Sequence, residues 1–334
     1  MIQHPVLVRN GRRQGGETET RSKCQQNGGT GNATIDGVTQ VAVLALLVVT
    51  LFQAPTFRSD PPHKCSSCDD WNKPREPFKI FGNTYFVGTD GLSSILIVGD
   101  AGLILLDGGL EQSAAVIDAN IRKLGFKTED VKLIVNSHGH YDHAGGIAAL
   151  QRASGATVAA SPSGADALQR GENTTDDPQY GFGKAENGFP PIKNVKVIKD
   201  GERLAVGNIA ITAVFTPGHT PGATSWMWRS CEGKECHDIV YADSVSAVSA
   251  PGFKFTAFPE VVAKFRRTVS RLAELPCDIV VSTHPSATNL DAKIKKRAEL
   301  KGAGPDPFVD HGCKALAATA LKGLEARIAE EKKQ

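Results

Sequence analysis

The chain has 334 residues, 40% hydrophobic and 22% charged, with 38 Lys and Arg against 36 Asp and Glu. These proportions belong to a soluble globular protein and exclude a disordered, collagenous or polytopic membrane chain. A net charge of +2 is too small for a nucleic-acid binder, which needs a basic surface against the phosphate backbone.

The first 54 residues differ from the rest. Residues 1–37 are polar and rich in Gly, Gln, Thr and Asn, with basic side chains at Arg9, Arg12, Arg13, Arg21 and Lys23. They give way to the apolar run 41–52 (VAVLALLVVTLF), closed by Gln53, Ala54 and Pro55. A run of this length suits the hydrophobic region of a secretory signal and, at about 1.5 Å per residue, falls short of a bilayer about 30 Å thick. The basic residues stand far upstream and no A-x-A cleavage site follows, so a signal anchor is the competing reading. The expected organisation is an N-terminal extension over 1–54 and a folded domain over 55–334. Losing the extension removes 5 basic and 3 acidic side chains, which leaves 33 of each sign. The expectation is a periplasmic or secreted protein with no stable membrane association once the signal is cleaved.

Cysteine usage agrees with export. Cys24 lies in the extension, and the remaining Cys65, Cys68, Cys231, Cys236, Cys277 and Cys313 are even in number, which suits disulfides in an oxidising compartment. Cys231 and Cys236 flank a polar Glu-Gly-Lys-Glu turn between two strand-like segments, which predicts a disulfide at a hairpin tip. Cys277 opens a strand and Cys313 opens the last helix; a bridge over that loop would be worth about 4 kcal/mol in the chain-entropy account. Cys65-Ser-Ser-Cys68 reads as a tight disulfide, a redox pair or half a zinc site. No second Cys-x-x-Cys completes a structural zinc site, and a plain disulfide is the expectation.

After the Pro-rich entry at 60–62, residues 78–87 (FKIFGNTYFV) read as a hairpin turning at Gly82-Asn83, with a second hairpin from 94–98 to 103–106. Asp107-Gly108-Gly109 ends it, and 113–124 carries Val116, Ile117, Ile121 and Leu124 at helical spacing. Residues 131–135 (VKLIV) read as a buried strand ending at Asn136-Ser137-His138, and a helix restarts at 147–152. The loop between them is where chemistry on α/β scaffolds sits. The second half repeats the order, with strands at 195–198, 203–206, 209–215, 224–228 and 239–242, a helix at 259–275, a strand at 278–281 and helices at 291–300 and 314–331. Strands then helix, twice over, predict an α/β protein with mixed sheets. The loop 181–190, with an exposed-looking Phe182 and Phe189, either borders the active site or is a plain surface connection.

The chemistry lies in His138-Gly139-His140-Tyr141-Asp142-His143-Ala144-Gly145-Gly146. Three imidazoles and a carboxylate fall within six positions. Neutral imidazoles with a carboxylate form a donor set for zinc, and the spacing lets alternate residues face two adjacent ions. His219, between the Pro and Gly residues of 216–222, follows the strand 209–215, and His284 follows 279–281. Each strand end delivers its histidine to the same face. His4, His63, His237 and His311 read as bystanders.

At this point the sequence resembles the metallo-β-lactamase superfamily, whose first motif is His-x-His-x-Asp-His and whose later motifs each add a His. Within it, the sequence looks like subclass B3. The resemblance runs from about Trp71 to Thr319, through Leu106-Asp107-Gly108-Gly109, 137–145, 217–226, Tyr241-Ala242-Asp243-Ser244, Leu275-Pro276-Cys277-Asp278 and His284-Pro285. Cys277 and Cys313 match a disulfide typical of that subclass. The implied fold is an αββα sandwich of two mixed β-sheets with helices on the outer faces.

The resemblance also implies two zinc ions, one held by His138, His140 and His219 and the other by Asp142, His143 and His284, with a hydroxide between them near neutral pH. It implies hydrolysis of the β-lactam amide of small-molecule antibiotics, carbapenems included, with Asp142 as the catalytic residue that orients the nucleophile. Ser244 stands where another subclass has a cysteine ligand, so Ser244 and Ser246 become candidates to bind substrate, against a reading in which they cap a strand. Asp107 either holds a ligating histidine from behind or is a turn residue. The same metal site serves thioesterases and lactonases of the superfamily, many of which bridge their metals with an aspartate after the fourth strand. Asp243 is the candidate for that role, and thioester or lactone hydrolysis is the alternative function.

Overall fold

The computed structural model describes residues 57–333; the apolar run 41–52, Cys24 and His4 lie outside them. Two sheets are built from the apolar segments. Strands β1 (Phe78–Phe81), β2 (Thr84–Phe86), β3 (Ile95–Val98), β4 (Leu103–Leu106), β5 (Val131–Val135), β6 (Thr157–Ala160) and β7 (Val195–Val197) form one sheet in chain order. Strands β8 (Arg203–Val206), β9 (Ile209–Phe215), β10 (Thr224–Glu232), β11 (Glu235–Ala242) and β12 (Ile279–Ser282) form the other. Pairing is antiparallel from β1 to β4 and parallel from β4 to β7. In the second sheet β8 to β11 are antiparallel, and β12 joins β11 in parallel.

Parallel pairs need crossovers, and these carry helices onto the outer faces. Ile95, Ile97, Ile104, Leu106 and Val135 meet Ile211, Ala213, Trp226, Trp228, Tyr241 and Val281 between the sheets. The alternate residues Leu96, Leu105, Ile134 and Val158 pack outward on Ile117, Ile121, Ile147, Leu150 and Leu168, from helices Ser113–Lys123, Ile147–Ser154 and Pro162–Arg170. Behind the second sheet, Val240, Ala242 and Val280 pack on Val262, Phe265, Leu272, Leu316, Ala317 and Leu324, from helices Pro259–Glu274 and Cys313–Glu331. The layers are the αββα sandwich that the resemblance implied. The β4 sequence Leu-Ile-Leu-Leu has no polar position because both faces of that strand are covered.

The structure departs from the sequence reading in several places. Residues 195–198 read as part of the second half, but β7 pairs in parallel with β6 and closes the first sheet. β6 and helix Pro162–Arg170 were not anticipated; Thr-Val-Ala-Ala is too short and Ala-rich to show either period, while the helix starts on a Pro with the Ser161 hydroxyl accepting from Gly164 N. β10 and β11 extend through the polar tip, so that Cys231 and Cys236 are cross-strand partners. Phe189 is buried in the outer core, whereas Phe182 is exposed. Disulfides join Cys65 to Cys68, Cys231 to Cys236 and Cys277 to Cys313. Among the described residues no helix is long and apolar enough to cross a membrane.

Candidate metal centre

The segments after β5, β9 and β12 meet at one rim of the sandwich, at the carboxyl ends of strands, where open α/β sheets bind ligands. Two bonds lock the second sheet onto the end of β5: Trp226 Nε1 donates to Asn136 O at 3.1 Å, and Thr224 N donates to Ser137 O at 2.8 Å. Gly139 lets the chain approach the helix behind it, for a Cβ there would lie 2.5 Å from Ala167 Cβ. Not all of 136–146 is loop. Tyr141–Ala144 is one helical turn, closed by the N–H groups of His143 and Ala144 on His140 O at 3.1 and 2.8 Å, and it turns Asp142 and His143 inward.

His138, His140 and His219 gather with ring centroids 4.6, 4.8 and 5.0 Å apart, and one nitrogen of each lies within 4.8 Å of the others. His138, Asp142 and His143 meet the same test. His284 completes the cluster: its Nε2 is 3.4 Å from Asp142 Oδ2 and its ring centroid is 5.0 Å from that of His143. Asp142 Oδ2 also lies 3.3 Å from His143 Nε2. All six expected side chains are thus brought together.

Four of the imidazoles are held from behind through their other nitrogen. His138 Nδ1 lies 2.7 Å from Asp243 Oδ1, and His140 Nε2 lies 3.0 Å from Asp177 Oδ2. His219 Nδ1 donates to Ser246 O at 2.9 Å, and His284 Nδ1 donates to Gly91 O at 3.1 Å. Partners of this kind fix the tautomer and the ring plane of a metal-ligating histidine. On the inner side, His138 Nε2 and His143 Nε2 are buried without a hydrogen-bond partner. Orphaned buried polar atoms are costly, and a cation would satisfy them. The donors fit zinc in type and number.

Electrostatics favour the same reading. Burial and the neighbouring imidazoles hold His138 well below the usual histidine range, and burial with His140 pushes His219 down to about 3. Both rings are therefore neutral, the form that binds metal. Burial pushes the Asp142 carboxyl up, but His143 and His284 outweigh it and hold it well below the usual carboxylate range. Burial lowers His143, yet Asp142 lifts it to about 8. A metal ion bound there would compete with the proton on His143.

Two expectations about surrounding residues change. Asp107 does not hold an imidazole, since His143 Nδ1 lies 4.0 Å away, beyond hydrogen-bonding distance. Its carboxylate accepts instead from Ser137 N, Ser137 Oγ, Asn136 Nδ2 and Tyr241 OH at 2.7, 2.6, 3.0 and 2.7 Å, tying the ends of β4, β5 and β11 together. Asp243 stands behind His138, on the ring nitrogen that faces away from His138 Nε2. His63, expected to be no ligand, stays outside the cluster and stacks on Tyr141. Asp177 was missed; it sits in an irregular loop with no periodicity to mark it.

The family model for the metallo-beta-lactamase superfamily matches residues 87–284, more than half of the chain. The chain belongs to the metallo-β-lactamase superfamily. A solved structure titled Rm3 metallo-beta-lactamase is 49% identical, with a TM-score of 0.77, over 80% of this chain and 99% of that one. The structure of MEM-A1, a subclass B3 metallo-beta-lactamase from a soil metagenome library, is 45% identical, with a TM-score of 0.75, over 79% and 99%. Within the superfamily the enzyme is most like subclass B3, and it is a hydrolase. N-acyl homoserine lactonase AttM of Agrobacterium fabrum (strain C58 / ATCC 33970) is 32% identical over 127 residues, 36% of this chain and 44% of that protein. The chain spans less than half the length of that lactonase and, at 43%, of acyl-coenzyme A thioesterase MBLAC2 of Gallus gallus.

Proposed function

We propose that the enzyme hydrolyses the amide bond of β-lactams, carbapenems included, with two zinc ions bound. The observation that carries the reading is the convergence of His138, His140 and His219 with Asp142, His143 and His284, four of these imidazoles being turned inward by partners behind them. The first three residues would hold one ion and the last three the other. Zinc in such a place supplies a Lewis acid for the carbonyl and a nucleophilic water near neutral pH. The chain's own residues supply placement. Asp142 keeps an ionised oxygen beside both His143 and His284, where it orients the attacking water. Ser244 and Ser246 line a cavity of about 380 Å³ beside His284, together with Thr283 and the apolar Ala247, Ala287 and Leu316. Ser244 Oγ shares a hydrogen bond with Thr283 Oγ1 at 2.7 Å, and a hydroxyl pair of this kind rotates to donate to a substrate carboxylate.

Replacing Ser244 with Ala is expected to raise KM more than it lowers kcat, because the hydroxyl positions substrate without joining the reaction; an unchanged KM counts against that role. The place of Asp243 behind His138, rather than among the inner donors, favours the β-lactamase reading over one with a bridging aspartate. Three disulfides support a periplasmic or secreted enzyme, where β-lactam hydrolysis would confer antibiotic resistance.

The test is hydrolysis of a carbapenem and a cephalosporin by the purified enzyme, with zinc counted before and after chelation. Turnover that is lost with about two zincs and restored by zinc supports the reading. Two bound zincs without turnover would move it to lactone or thioester hydrolysis.

A further inference from the structure

The segment just before β1 touches the metal centre at two points. His63 lies flat on Tyr141, with ring centroids 4.0 Å apart and planes inclined by 14°, and Tyr141 opens the helical turn that carries Asp142 and His143. The backbone of His63 is tied by both polar atoms to Gln112, N to Oε1 at 2.9 Å and O from Nε2 at 3.0 Å. Its ring sits between Glu111 Oε1, 3.6 Å from Nδ1, and Glu186 O, 3.1 Å from Nε2. The neighbouring Glu111 carboxylate raises the pKa of the imidazole.

The second contact starts at the disulfide. Cys65 is bonded to Cys68, and Cys68–Trp71 forms one helical turn. The Trp71 ring packs on His284, with centroids 5.4 Å apart. Trp71 O accepts from Gly91 N at 3.1 Å and from Thr89 Oγ1 at 2.6 Å. Gly91 in turn offers the carbonyl that holds His284 Nδ1. Gly91 has no room for a side chain, because a Cβ there would lie 2.5 Å from the Trp71 ring. His138, His140 and His219, by contrast, take their outer partners from Asp243, Asp177 and Ser246, none of which belongs to this segment.

From this asymmetry we propose that the segment from His63 to Trp71, closed by the Cys65–Cys68 bridge, is a positioning strap that acts on the Asp142–His143–His284 half of the centre alone. The inference rests on the two-zinc reading above. His63 sets the helical turn through Tyr141, and Trp71 sets His284 directly and through Gly91. The bridge removes freedom from a segment that has a single helical turn of its own. Loosening the strap weakens one zinc equivalent and leaves the other as it was.

The test uses the zinc-loaded protein and its variants His63→Ala, Trp71→Ala, Trp71→Phe and the double variant Cys65→Ser/Cys68→Ser. Each is dialysed against graded chelator and the zinc that remains is counted, with thermal unfolding as the check on folding. Outer partners of metal ligands are worth about 10–100-fold in metal affinity. In His63→Ala, Trp71→Ala and the double variant, one equivalent is expected to leave at a chelator concentration lower by about tenfold or more, the same equivalent that Asp142→Asn weakens. The other equivalent leaves where it does in the parent, and Trp71→Phe, which keeps an aromatic face on His284, stays close to the parent. If Trp71→Ala fails to fold, His63→Ala and the double variant carry the same comparison. Variants that release both equivalents at the parent's concentration, or both equally early, overturn the strap while leaving the two-zinc reading intact. A parent that holds one zinc overturns that reading and the strap with it.

Discussion

Asp142→Asn is expected to lower kcat by orders of magnitude and to weaken one zinc equivalent. The amide has nearly the shape of the carboxylate, so it still fits beside His143 and His284, 3.3 and 3.4 Å from Asp142 Oδ2. What disappears is the negative charge. His143 and His284 hold the Asp142 carboxyl well below the usual range against the effect of burial, so the parent keeps that charge at any pH where the enzyme works. A neutral amide oxygen is a poorer ligand for a divalent cation and orients an attacking water less strongly. The measurements are kcat, KM and zinc content, beside a thermal unfolding curve that should match the parent. Near-normal hydrolysis by a variant carrying its full zinc would refute the role given to Asp142.

The candidate cluster was legible because most of its members are local. His138, His140, Asp142 and His143 share one strand-to-helix segment, so their spacing alone announces a metal site. His219 and His284 were found because each follows an apolar strand, and strand ends in such a fold share a rim. The partners behind the rings were not legible in the same way. Asp177 reaches His140 from 37 residues away in sequence, out of a loop with no pattern. Gly91 contributes only a carbonyl, which every residue has. Asp243 was singled out, but sequence cannot say which side of an imidazole a carboxylate will occupy. The same limit appears in the fold: Val-Lys-Val at β7 would suit either sheet, and pairing with β6 decides it. His63 and Trp71 act through stacking and backbone contacts, for which no motif exists.

Asp107 offers the largest expected effect on stability. It is buried with φ of 59°, a left-handed conformation that Asp and Asn tolerate better than other side chains with a Cβ. Asp107→Ala strands Ser137 N and Asn136 Nδ2, whose acceptor is Asp107 Oδ1. A buried donor left unpaired costs about 1–3 kcal/mol, so the expected loss is roughly 2–6 kcal/mol. Asp107→Asn should lose far less. Its oxygen can keep both N–H donors while its amide nitrogen donates to Ser137 Oγ and Tyr241 OH. Tyr241 OH then donates to Ser93 O, 3.2 Å away. Burial raises the Asp107 carboxyl above its ordinary value, so the folded state holds a proton there more tightly than the unfolded chain does. Ionised Asp107 therefore costs the metal-free protein stability as pH rises from the unfolded value through the folded one, a cost the neutral amide avoids. Urea unfolding of the metal-free proteins at neutral pH should rank the Asn variant near the parent and the Ala variant well below both. Equal losses in the two variants would mean that the charge of Asp107, and not its four accepted hydrogen bonds, holds the ends of β4, β5 and β11 together.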